Sequence, residues 1–155
     1  MTIVSQRRTC AIALLVFLTV SATAQTRLGT IAGFSRSMAA AADAFELIEQ
    51  AVSSNVYLLN SVRGDAITQL ETVRKSLAAM RGFFADRKKD DGVAFVDETL
   101  AAMGPLRDEL TAAEPNQAIA AEAAEHVSQA CAACHKVYRD GDLRTGYRFK
   151  VGTLE

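Results

Sequence analysis

The chain has 155 residues, half of them hydrophobic, enough for one domain with a real core and too few for two. A formal net charge of −1, no tryptophan and only two prolines favour helices. With no long charged block and no basic patch interleaved with aromatics, they argue against a nucleic-acid binder.

The first segment differs from the rest. "MTIVSQRRTC" supplies Arg7 and Arg8, "AIALLVFLTV" is an uninterrupted apolar run, and "SATAQT" places Ala22 and Ala24 in the small-x-small spacing that precedes a cleavage point. The expectation is a secretory signal peptide over residues 1–24 and a mature domain over 25–155, exported to the periplasm. The run is too short to span a bilayer and no second one follows, so no membrane insertion is expected once the signal is removed. Cys10 precedes the run, whereas a lipoprotein cysteine follows it. Removal of residues 1–24 takes away two arginines and no acid, which shifts the formal charge from −1 to −3, and it leaves two cysteines.

From residue 28 to 139 apolar residues recur at intervals of three and four, the helical period. The first predicted helix carries Ile31, Phe34, Met38, Ala41, Phe45, Ile48 and Val52 inward, with a break near Ser53–Asn55. The second is expected to start after "SVRGD", with Gly64 as interruption and Asp65 as cap. It buries Leu70, Val73, Leu77, Met80 and Phe84 and ends in "DRKKDDG". The third runs from about Gly92 to Ala113 with Val96, Leu100, Met103 and Leu110 inward and Pro105 as an internal bend.

Pro115 is expected to open the fourth helix. Its stripe is Ala120, Ala123, Val127, Cys131, Cys134 and Tyr138, with Gly141 as the stop. The fold class is therefore all-α, an antiparallel four-helix bundle over about 28–139. Residues 140–155 form a short extended tail, in which Tyr147, Phe149 and Val151 alternate with Arg148 and Lys150 and give it one apolar side.

The fourth helix reads "SQACAACHKVYRDGD" over residues 128–142. Cys131, Cys134 and His135 stand three and four apart, so they share one side of a helix. This CxxCH spacing suits covalent attachment of one haem, the cysteines through thioethers and the histidine through the iron. Three other readings compete. Two buried core thiols leave the adjoining histidine to chance; a zinc site needs about four ligands where the mature chain has two cysteines and two histidines; a redox dithiol wants a preceding strand. His126, nine residues before His135, falls about half a turn out of phase and is expected to be solvated or a cap.

A helical bundle with "CAACHKVYR" on its last helix resembles the class II c-type cytochromes, the cytochrome c′ family and its low-spin, methionine-ligated relatives. The resemblance covers about residues 27–139 and is concentrated in 131–139. It implies haem c, one per chain, with Cys131 and Cys134 as anchors, His135 as proximal iron ligand, and Tyr138 and Arg139 as haem contacts. It also implies a first-helix residue over the far face of the haem. Arg27 with Ile31 one turn on resembles the five-coordinate members, which bind nitric oxide or another diatomic gas. Met38 resembles the low-spin members, where a thioether completes the coordination. A methionine on an apolar stripe ordinarily fills core, yet Ala41 and Ala42 near Met38 leave room for a flat ring; Met80 and Met103 are the other candidates.

The expected function is electron transfer between redox partner proteins rather than enzymatic catalysis, because one redox centre with no other titratable cluster offers little apparatus for making bonds. The alternative is a gas-binding haem protein. The resemblance also implies a homodimer.

Overall fold

The computed structural model describes residues 29–54, 56–141 and 147–154. Residues 1–28, which hold the predicted signal peptide and Arg27, lie outside the described residues. Four helices follow in order, α1 (Ile31–Ser53), α2 (Asn60–Ala85), α3 (Asp90–Thr111) and α4 (Gln117–Tyr138), then two short antiparallel strands, β1 (Arg139–Asp140) and β2 (Arg148–Phe149). The helices pack as a four-helix bundle, α1 against α2, α2 against α3, α3 against α4, with α4 returning to α1. Among the described residues no helix is long and apolar enough to cross a membrane.

The predicted stripes form the core. Of these Ile48, Leu70, Ala120 and Val127 are wholly buried, as is Leu106, which the predicted stripe of α3 does not include; the larger side chains are each worth about 1.5–3 kcal/mol by removal from water. Ile31 is the exception, because at 53 % exposed it occupies the first turn of α1, ahead of the packed surface. Thr30 caps α1, its Oγ1 accepting from the Gly33 N–H at 3.0 Å.

Two helix starts differ from expectation. α2 begins at Asn60 and runs through Gly64, so Asp65 caps nothing. A glycine within a helix costs only about 1 kcal/mol, and tertiary contacts offset it: Arg63 donates to the Ala112 carbonyl at 3.2 Å, tying α2 to the end of α3. At α4 Pro115 stands outside the helix and Asn116 is the cap, its Oδ1 accepting from the N–H groups of Ala118 and Ile119 at 2.9 and 3.3 Å. Pro105 is accommodated within α3, which runs unbroken.

The tail does not present one apolar side. β2 pairs with β1, Lys150 N–H extends the ladder to the Tyr138 carbonyl at 2.9 Å, and the chain then turns through Gly152 (φ 80°). Phe149 and Leu154 pack against the core, whereas Tyr147 is about half exposed and Val151 is 95 % exposed, because the extended stretch is too short for the alternation to continue.

Candidate functional site

The ends of α2 and α4 and the starts of α1 and α3 enclose a cavity of about 370 Å³, within the range of small-molecule and cofactor sites. A second cavity of about 280 Å³ adjoins it along α1 and α4, and the two share Met38, Ala42, Leu77, Met80, Cys131 and His135. Alanines make the room: Ala39 and Ala42 present α1 to the hollow without filling it. Aromatic rings close the outer end. Phe34 packs on Phe83 and Phe149 with ring centroids 4.7 and 4.8 Å apart, and Phe84 on Tyr138 at 4.8 Å.

The last two turns of α4 place Cys131, Cys134 and His135 together on the cavity wall, all half-buried, and both thiols are free. Burial pushes the Cys131 thiol up, helped by the Glu49 carboxylate, and burial followed by Cys131 and Asp91 pushes Cys134 up to about 11. Both are neutral thiols near pH 7. Burial, and after it the Arg139 guanidinium, lowers His135 to about 4, so its imidazole is neutral too.

The Nε2 atom of His135 is buried and has no hydrogen-bond partner. The other buried side-chain polar atoms in that state among the described residues, the Tyr57 hydroxyl and Arg63 Nε, belong to the α1–α2 connection and the start of α2, at the opposite end of the bundle. A buried orphan imidazole nitrogen costs about 1–3 kcal/mol unless something occupies its lone pair or proton. A neutral imidazole on an apolar cavity wall suits a metal that the protein holds by one nitrogen. Among the described residues no three His, Cys, Asp or Glu side chains gather to cage a metal by themselves.

Met38 and Met80 line both cavities; Met103, buried at 1 % exposure, lines neither. Tyr138 is buried on the wall and its hydroxyl donates to Asp91 Oδ1 at 2.7 Å, which holds the tyrosine above and the aspartate below their ordinary ranges; for the tyrosine burial is the larger cause. Arg139 lies at the mouth, its guanidinium 4.0 Å from the centroid of the Tyr147 ring. His126 is exposed, away from the cavity. Residues that sequence reasoning missed also line the hollow, chiefly Leu77 and Thr99 from the facing helices and Arg148 with Phe149 from the tail. Thr99 is buried but satisfied, its hydroxyl donating to the Phe95 carbonyl at 2.8 Å. The alternating tail was the available signal for Phe149; nothing in the sequence marked Asp91 as the partner of Tyr138.

Fold and site together define a four-helix bundle with an apolar cavity whose donors are one neutral imidazole, two thiols and two thioethers. The chain matches no protein-family model, no curated protein and no solved structure.

Proposed function

We propose that this chain is an exported, periplasmic c-type cytochrome of the class II type, holding one haem c and carrying electrons between redox partner proteins. The observation that carries the reading is the unpartnered Nε2 of His135, buried on an apolar cavity wall beside two free cysteines on the same helix face. Haem, when bound, supplies a one-electron iron couple. Cys131 and Cys134 would each add S–H across one vinyl group, sulfur to one carbon and hydrogen to the other, with no redox change. His135, kept neutral by its burial, would offer Nε2 to the iron.

Met38 would be the second protein ligand to the iron. It is half-buried on the wall shared by both cavities, whereas Met80 is 2 % exposed and integral to the core. A thioether within the cavity favours the electron carrier over a gas binder, since its sulfur would compete with a gas for the iron. Tyr138 and Arg139, on the cavity wall beside His135, would contact the haem, and partner proteins would meet its exposed edge through a small transient interface.

The test is expression with haem-attachment machinery followed by intact mass and spectroscopy. The expected result is the polypeptide plus one haem, lost in C131S/C134S, with a reduced spectrum that carbon monoxide does not shift. A mass without haem overturns the reading; a haem protein that takes up carbon monoxide replaces electron transfer with gas binding.

A further inference from the structure

The tail is fastened to the bundle at several points. β2 pairs with β1, Phe149 lies 4.8 Å from Phe34 and is stacked on Phe83 at 5.9 Å with 14° between the ring planes, and Lys150 Nζ donates to the Lys136 carbonyl. These contacts bring Tyr147, Arg148 and Phe149 into the cavity wall. The rest of that wall is nearly without charge. Thr99 and Tyr138 spend their hydroxyls on Phe95 and Asp91, which leaves the guanidiniums of Arg139 and Arg148 as the charged groups of the larger cavity. The adjoining cavity ends instead at Glu46 and Glu49. The combined hollow is therefore polarised, with cations at the strap and carboxylates at the far side.

We propose that the strap Tyr147–Lys150 is part of the binding site, and that Arg148 and Arg139 clamp the carboxylate-bearing edge of an otherwise apolar, planar ligand. The proposal rests on the haem reading and assigns the orientation of that haem: its two carboxylates face the strap. An apolar body fits the alanine and aromatic walls, and a carboxylate pair directed the other way would meet Glu46 and Glu49. Arg139 is positioned by stacking on Tyr147 at the cavity mouth, which presents a planar guanidinium suited to a carboxylate. Arg148 pairs with Asp140 at 3.2 Å, but both side chains are largely exposed, at 65 % and 49 %, so that pair is weak and Arg148 can exchange it for a ligand carboxylate. Lys136 and Lys150 add positive charge nearby, and Asp91 is occupied by Tyr138.

The clamp is tested with reversible binding. In the C131A/C134A chain thioethers cannot form, so affinities for hemin and for hemin dimethyl ester, whose carboxylates are blocked, are measured by absorbance titration. The ester is expected to bind about tenfold more weakly than hemin, the scale of charge-assisted hydrogen bonds at a partly exposed site. Adding R139Q/R148Q should weaken hemin by a similar factor and abolish the discrimination, while R148K restores most of it and circular dichroism shows unchanged helix in each variant. Equal affinity for hemin and ester with both arginines present overturns the clamp, as does discrimination that survives R139Q/R148Q. If hemin does not bind this chain the clamp falls, while the haem reading stands or falls separately on the intact mass of the protein made with haem-attachment machinery.

Discussion

The two ends of this bundle are built from different side chains. Where α1 ends and α4 begins, branched aliphatics fill the interior: Ile48, Val52, Leu70, Leu106, Leu110 and Val127 are all exposed by 2 % or less. At the other end aromatics, methionines and cysteines surround a hollow, and Met38, Cys131, Cys134 and His135 are only half-buried. The same helical periodicity generates both ends, so periodicity alone does not distinguish a packed core from a cavity. The residue types do. Polarisable sulfur and imidazole concentrate where the interior is open, and stability should concentrate where it is closed.

That contrast can be broken by truncation. In the haem-free chain, Leu106→Ala at the closed end is expected to cost about 2–5 kcal/mol, because neighbours on all sides prevent collapse of the void. Met38→Ala on the cavity wall should cost about 1 kcal/mol or less, since its side chain borders space already empty. Urea denaturation measures both, and comparable losses would show that the open end is packed as tightly as the closed one.

Glycines sharpen the same comparison with opposite signs. A Cβ on Gly92 would lie 2.4 Å from Phe84 Cδ1 and 2.6 Å from its Cγ, and that ring is 1 % exposed and wedged against Phe34 and Tyr138. Gly92→Ala is therefore expected to destabilise by about 1–3 kcal/mol through overpacking. Gly64, towards the closed end, meets nothing within 4 Å. There Gly64→Ala should stabilise by about 0.5–1 kcal/mol through helix propensity and a less free unfolded chain. Thermal unfolding of the two variants side by side checks the signs.

Much of this was legible in the chain. Four helices, their inward stripes and the grouping of Cys131, Cys134 and His135 follow from spacing, because side-chain burial on a helix obeys one angular rule. The helix boundaries were less so, for identifiable reasons. Gly64 marks a break by propensity, but interior packing outweighs it; the turn after α2 passes through Lys88 in the left-handed region (φ 55°), where a glycine would have signalled the turn. The alternation of Phe149 with Arg148 marks an extended tail but not its partner, because pairing between residues 139–140 and 148–149 depends on where the bundle ends in space. Tyr138–Asp91, 47 positions apart, is likewise a product of helix docking, invisible to any local pattern.

The smallest expected difference between the ends concerns pH, and it belongs to His135. Burial lowers its value to about 4 in the folded chain from 6.5. Between those limits the unfolded chain binds a proton that the folded chain refuses, so the slope of unfolding free energy against pH is positive there. The resulting stability is complete above about pH 6.5 and is lost as the pH falls towards 4. Because the ring is partly exposed, the loss is on the order of 1 kcal/mol rather than the full value of the shift. Other groups titrate in the same window, among them Glu49, which burial and Glu125 raise, so the informative quantity is a difference. The haem-free chain and its His135→Gln variant are to be unfolded in urea at intervals from pH 7 to 4, and the variant should lose less stability across the window. Parallel curves would mean that the imidazole takes up its proton in the folded state, as an exposed histidine does, and that the open end is wetter than its apolar walls imply.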